Sequence, residues 1–273
     1  MRRANRRNSI VLKAYRTSIT EGAFAQVYGN LAQIGSSFIT KLMVLMGASP
    51  LQYSLLSAIG QVSAVWQPLG VAFSHHIKER KWLCIWITAI GRIITLFLGL
   101  ALLFPNQQKG IWFLLTILFF SAGFQSTGAN IWIAWVSDLI PLKIRGRFFS
   151  RRNQILFIVG LIVSYVLSFH VDLFEAKGGN LKDAYLSFLH AERFFTQQNQ
   201  PLFFAFVFVF ASIIGMIGLS MLAMQPERRR QEHQQSSLSK TFMEPLRDKN
   251  FRLLLLFGIW WMLAIGIDRK SVV

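Results

Sequence analysis

Acidic residues are scarce in this chain, 12 Asp and Glu against 29 Lys and Arg, and charge of either sign reaches only 15% of residues. There is one cysteine, Cys84, inside an apolar run. No disulfide framework can form, and a small core- or lipid-facing thiol is expected. The five histidines (His75, His76, His170, His190 and His233) lie at helix ends or in loops. None stands at ligand spacing from cysteine or carboxylates, so neither a metal centre nor a cofactor is expected. No Gly-rich phosphate loop with a following Lys is present, which removes the basis for ATP-driven chemistry. No nucleophile-and-base set or carboxylate pair emerges either, and an enzyme is not expected. The basic start, MRRANRRNSIVLKAYR, lacks a short apolar core with a small-residue cleavage site. It reads as a cytoplasmic tail over 1–20, not a removed signal.

Apolar length is what the chain has. Apolar residues make up 53% of it, and Phe alone numbers 25. Seven apolar segments stand out, at roughly 22–46, 51–74, 82–104, 110–137, 153–171, 201–224 and 253–267. The first six are long enough for a helix to cross about 30 Å of hydrocarbon at about 1.5 Å per residue. The seventh is too short. The expected class is therefore an all-α, polytopic membrane protein in contact with a lipid bilayer. The net charge of +17 invites a nucleic-acid partner, but the basic residues sit in short blocks between apolar runs, and that distribution rejects it.

Those blocks fix an orientation. The tail, the loop carrying Lys78, Arg80 and Lys81, the loop carrying Lys143, Arg145, Arg147, Arg151 and Arg152, and the stretch 228–252 together hold 21 of the 29 Lys and Arg. Alternate loops are poor in both. The cationic side is cytoplasmic, so the N-terminus is inside and odd-numbered helices run outward. The loops 47–50 and 105–109 are tight outer turns of Gly, Pro and Asn. Apolar residues recur at helical spacing within 172–200, which suits an interfacial helix or one packed over the bundle mouth. The polar stretch 225–250 reads as a flexible cytoplasmic connector. A bundle over 21–224 and the start of a further helix over 251–267 complete the division.

Polar residues inside the spans are informative because each must find a partner or face water. Gln26, Asn30, Gln33, Ser37 and Lys41 are spaced to share one helix face. That stripe faces either protein or a wet cavity, and interhelical hydrogen bonds are the alternative use. Gln61 and Gln67, then Gln125, Ser126, Thr127 and Asn130, add polar groups to the second and fourth segments. Lys41 falls near the outer face and can snorkel. Arg92 lies about 15 Å into its segment, the one cation near the midplane. Asp138 falls at a helix C-terminus, where the macrodipole disfavours an anion, so pairing with Arg145 or Arg147 across the turn is expected, a solvated loop acid being the alternative. No carboxylate is expected deep in the spans, with Glu21 and Asp138 both at the cytoplasmic rim.

Asp-Leu-Ile-Pro-Leu-Lys-Ile-Arg-Gly-Arg, from Asp138 to Arg147, resembles the loop after helix 4 in major facilitator superfamily transporters. Met46-Gly-Ala-Ser-Pro50 followed by Tyr53-Ser-Leu-Leu56 is similar to their first outer turn. Gly70 and the basic end Lys78 to Lys81 resemble their loop between helices 2 and 3, whereas Ser74 and His75 stand where Asp and Arg are usual. The resemblance implies the N-terminal six-helix bundle, with the start of helix 7, of a secondary or facilitative transporter working by alternating access in a bacterial inner membrane. It implies a small-molecule substrate and a C-terminal half as partner. It makes Gln26, Asn30, Gln33, Ser37, Gln61, Gln125, Thr127 and Asn130 candidates for the substrate cavity. Asp138, Arg145, Arg147 and Arg92 become gating or structural charges; for Arg92 a role with a substrate anion or a gating partner competes with a structural one, which the peripheral place that the resemblance gives helix 3 favours. A transport-inactive scaffold or sensor of the same fold is the alternative. Residues 268–273, DRKSVV, match the translation of a common sequencing-adapter string, so they are expected to be non-native and the chain a fragment.

Overall fold

The computed structural model describes residues 2–68, 70, 79–174, 180–190, 194–227 and 238–268. The readings placed on Ser74, His75, His76, His233 and 269–273 lie outside them. Among the described residues the chain is all-helical, with no strand. Four helical stretches are long and apolar enough to cross a membrane: Arg80–Leu103, Gln107–Leu139, Leu142–Asp172 and Gln197–Ala223. By that measure the chain is an integral membrane protein. It divides into two compact units, 1–229 and 230–273.

In the first unit, α1 (Arg2–Ala32) and α2 (Ser37–Leu45) replace the single helix expected over 22–46. The break is local chemistry. Gly35 takes φ +86, which L side chains rarely adopt, and the Ser36 hydroxyl caps α2 by accepting from the Ile39 amide at 3.2 Å. At the far end of α2, Gly47 takes φ +68. The amides of Gly47 and Ala48 return to the carbonyls of Val44 and Met43 at 2.9 and 3.0 Å, closing a Schellman turn. Two residues later α3 (Pro50–Val62) starts with a Ser49/Gln52 capping box and Pro50 in its first turn. These signals account for the tight turn at 47–50.

Helix α4 (Arg80–Ile94) tightens into a 3₁₀ run, Thr95–Leu103. Helix α5 (Gln107–Leu139) is capped by the Asn106 side chain. Pro141 then turns the chain into α6 (Leu142–Asp172) with only two residues between the helices. Helix α7 (Asn180–Leu189) follows, then α8 (Gln200–Ala223). Tyr185 of α7 meets the end of α6, its hydroxyl 3.1 Å from His170 Nε2 and its ring edge-on to Phe169.

Two apolar clusters hold the unit together, with α1 packing on α6 and α8, and α4 on α5 and α8. One centres on Tyr28, Leu42, Leu98, Leu114, Phe204 and Phe208. The other centres on Cys84, Ile85, Trp135, Leu139, Leu219 and Leu222. Glu21 on α1, Arg92 on α4, Ser121 on α5 and Ser212 on α8 are polar yet all buried. The outward face of α6 is apolar and bare, with Phe157, Ile158, Leu161, Ile162 and Tyr165 all more than half exposed, as hydrocarbon requires.

The second unit comprises α9 (Leu238–Arg247) and α10 (Lys249–Asp268). Part of the stretch expected to be a flexible connector is therefore helical. Asp248 caps α10, its carboxylate accepting from the amides of Asn250 and Phe251 at 2.7 and 3.2 Å. Helix α10 begins before the apolar run at Leu253, so its first turn is polar.

A buried charge cluster lining a cavity

Arg92 sits halfway along a 24-residue apolar span and is 3% exposed. A guanidinium there must have acceptors, since desolvation without them is prohibitive. Its Nη2 lies 3.4 Å from Glu21 Oε1, Nη1 donates to the backbone carbonyl of Gly215, and its plane faces the Tyr28 ring at 5.3 Å. The other Glu21 oxygen lies 3.6 Å from Arg152 Nη2. Arg152 also donates from Nε to the Ser18 hydroxyl at 2.8 Å and stacks on Trp132 at 4.4 Å. One carboxylate thus serves two guanidinium groups from α4 and α6.

Glycines make room for this cluster. A Cβ at Gly215 would stand 2.9 Å from Arg92 Cδ, and one at Gly22 would stand 2.8 Å from Arg152 Nη2. Hydroxyls knit the surroundings. Thr95 and Ser212 are 3.0 Å apart, Ser121 donates to the Gly91 carbonyl at 2.8 Å, and Gln125 donates to the Tyr28 hydroxyl at 2.6 Å.

The cluster borders a cavity of about 400 Å³ whose lining includes Glu21, Arg92, Arg152, Gln26, Gln33 and Gln125. Three of the eight substrate-cavity candidates, Gln26, Gln33 and Gln125, therefore meet here, with Arg92 beside them. Asn30 and Ser37 line a different cavity of about 540 Å³ against α6, where Asn30 accepts from the Ser164 hydroxyl at 3.1 Å. The break at 33–36 divides the expected stripe. Thr127 is consumed by hydrogen bonds to the carbonyls of Gly123 and Trp66, at 2.9 and 3.1 Å. Gln61 and Asn130 line neither cavity. Lys41 pairs with Asp172 at 3.2 Å.

Two charge readings change. Asp138 pairs with Arg80 at 3.0 Å, not with Arg145 or Arg147. Arg145 turns back instead, donating to the carbonyls of Ser137 and Ile140 at 2.6 and 3.5 Å and so capping α5. Arg147 is exposed beside a groove at the start of α6. Glu21, expected at the rim, is 5% exposed and reaches the midpoint arginine. One sequence signal could have marked it: the first 78 residues contain no other carboxylate. Among the described residues no group of His, Cys, Asp or Glu is arranged to hold a metal ion.

Fold and site together define an all-helical integral membrane protein with a charged cavity between its helices. No protein-family model, curated protein or solved structure matches the chain.

Proposed function

We propose that the chain is the N-terminal six-helix bundle, with the first part of a seventh helix, of a secondary transporter of the major facilitator type. In this reading it carries a small solute by alternating access across a bacterial inner membrane, with its N-terminus in the cytoplasm. The observation that carries the reading is the cavity lined by Gln26, Gln33, Gln125, Glu21, Arg92 and Arg152, of which Arg92, Gln125 and Arg152 lie on three of the four membrane-length helices. Polar lining at membrane depth is costly and is characteristic of solute pathways. Packing alone would have been met by apolar side chains of similar volume. The resemblance of Asp138 to Arg147 to a transporter loop agrees with it, and the alternation of cationic loops supports the orientation.

The test is solute uptake by cells carrying the complete reading frame, compared with the Gln26→Ala, Gln33→Ala and Gln125→Ala variants. Loss of saturable uptake at normal membrane abundance is the expected result. If no solute in a broad panel accumulates above the level of cells lacking the gene, the protein is a scaffold or sensor.

A further inference from the structure

We infer that the cavity between α1, α4, α5 and α6 is a binding site for a small organic anion that carries one negative charge on an apolar body. The charge count is the first ground. The lining holds Arg92 and Arg152 but only one carboxylate, Glu21, leaving a net charge of +1. Both arginines lie deep, their side chains 4% and 12% exposed. An uncompensated cation in that setting is expensive, and a bound anion offsets the cost.

Hydrogen bonding is the second ground. Arg92 Nε is buried and has no acceptor within the protein. Glu21 meets the two guanidinium groups at 3.4 and 3.6 Å, longer than the roughly 2.7–2.9 Å of a tight charge-assisted bond. Arg92 is therefore incompletely served, and a carboxylate matches the planar fork of a guanidinium. The third ground is the rest of the lining. Trp132, Ile133, Leu156, Leu219 and Leu222 offer an apolar wall, and about 400 Å³ lies in the range of small-ligand pockets.

The inference names a substrate class for the proposed transporter and rests on that reading only for the word substrate. Binding is read directly on the purified 273-residue chain in detergent. The probes are benzoate, neutral benzamide and cationic benzylamine, which share one apolar body. Trp132 stacks on Arg152, so tryptophan fluorescence and its loss in Trp132→Phe report occupancy at the site. Benzoate should give a saturable change at least about ten-fold tighter than benzamide, and benzylamine none. Arg152→Gln should weaken benzoate about ten-fold, whereas Glu21→Gln, which raises the net charge, should tighten it. A folding defect cannot produce opposite shifts in the two variants.

Benzamide binding as well as benzoate would overturn the anion class, as would weaker benzoate binding by Glu21→Gln at unchanged far-UV circular dichroism. Absence of benzoate binding by wild type would overturn it as well. Benzoate binding without uptake in any cell assay would leave the anion site standing and remove the transporter reading. Uptake of neutral solutes alone would do the reverse.

Discussion

Replacing Glu21 by Gln removes the one carboxylate that, among the described residues, two buried guanidinium groups share. At 3.4 Å and an effective dielectric constant of about 20, each contact is worth about 5 kcal/mol of gross Coulomb attraction. Repulsion between the two cations and the desolvation of all three groups offset much of that. The expected loss on breaking such a pair is about 3–5 kcal/mol, because the survivors stay buried without compensation. Arg92→Gln should cost less by about 1 kcal/mol or more, since Glu21 then keeps Arg152 at 3.6 Å. The assay is unfolding in mixed micelles by SDS titration, followed by far-UV circular dichroism for wild type, both single variants and the double variant. The double variant should lose less than the sum of the singles. A Glu21→Gln cost below about 1 kcal/mol would mean that water screens the cluster as it does a surface pair. Either that or a reversed order of the two singles would refute the reasoning.

Three further variants can be read in the same titration. Gly215→Ala should destabilise by about 1–3 kcal/mol because its Cβ meets Arg92 Cδ at 2.9 Å, while Gly146→Ala, with nothing within 4 Å, should be no less stable than wild type in the same titration. Asp138→Asn should shift that titration by less than about 1 kcal/mol, since the Asp138 side chain is 62% exposed and its bond to Arg80 is a surface pair.

The turns were legible in the chain. Gly35 with Ser36, and Gly47 with Ser49 and Pro50, are helix-stop and helix-start signals that act through neighbouring backbone, and the structure uses them in that way. Apolar residues on both sides of the first pair nevertheless make 22–46 look like one continuous span. The helical stripe from Gln26 to Lys41 assumed unbroken periodicity, and the break at 33–36 sent Asn30 and Ser37 to another cavity.

What the sequence determined by itself is a helical membrane protein, since long uncharged runs have few other stable fates and lipid leaves the backbone no partner but itself. It also marked Arg92, Gln26, Gln33 and Gln125 as polar groups needing company. Tertiary structure alone decided the company. Glu21 and Arg92 are 71 positions apart, and Arg80 and Asp138 are 58 apart. Helical periodicity fixes which side chains share a face of one helix, but it carries no information about which helix lies opposite. That choice is made by packing, where glycines at 22 and 215 open the space two guanidinium groups occupy.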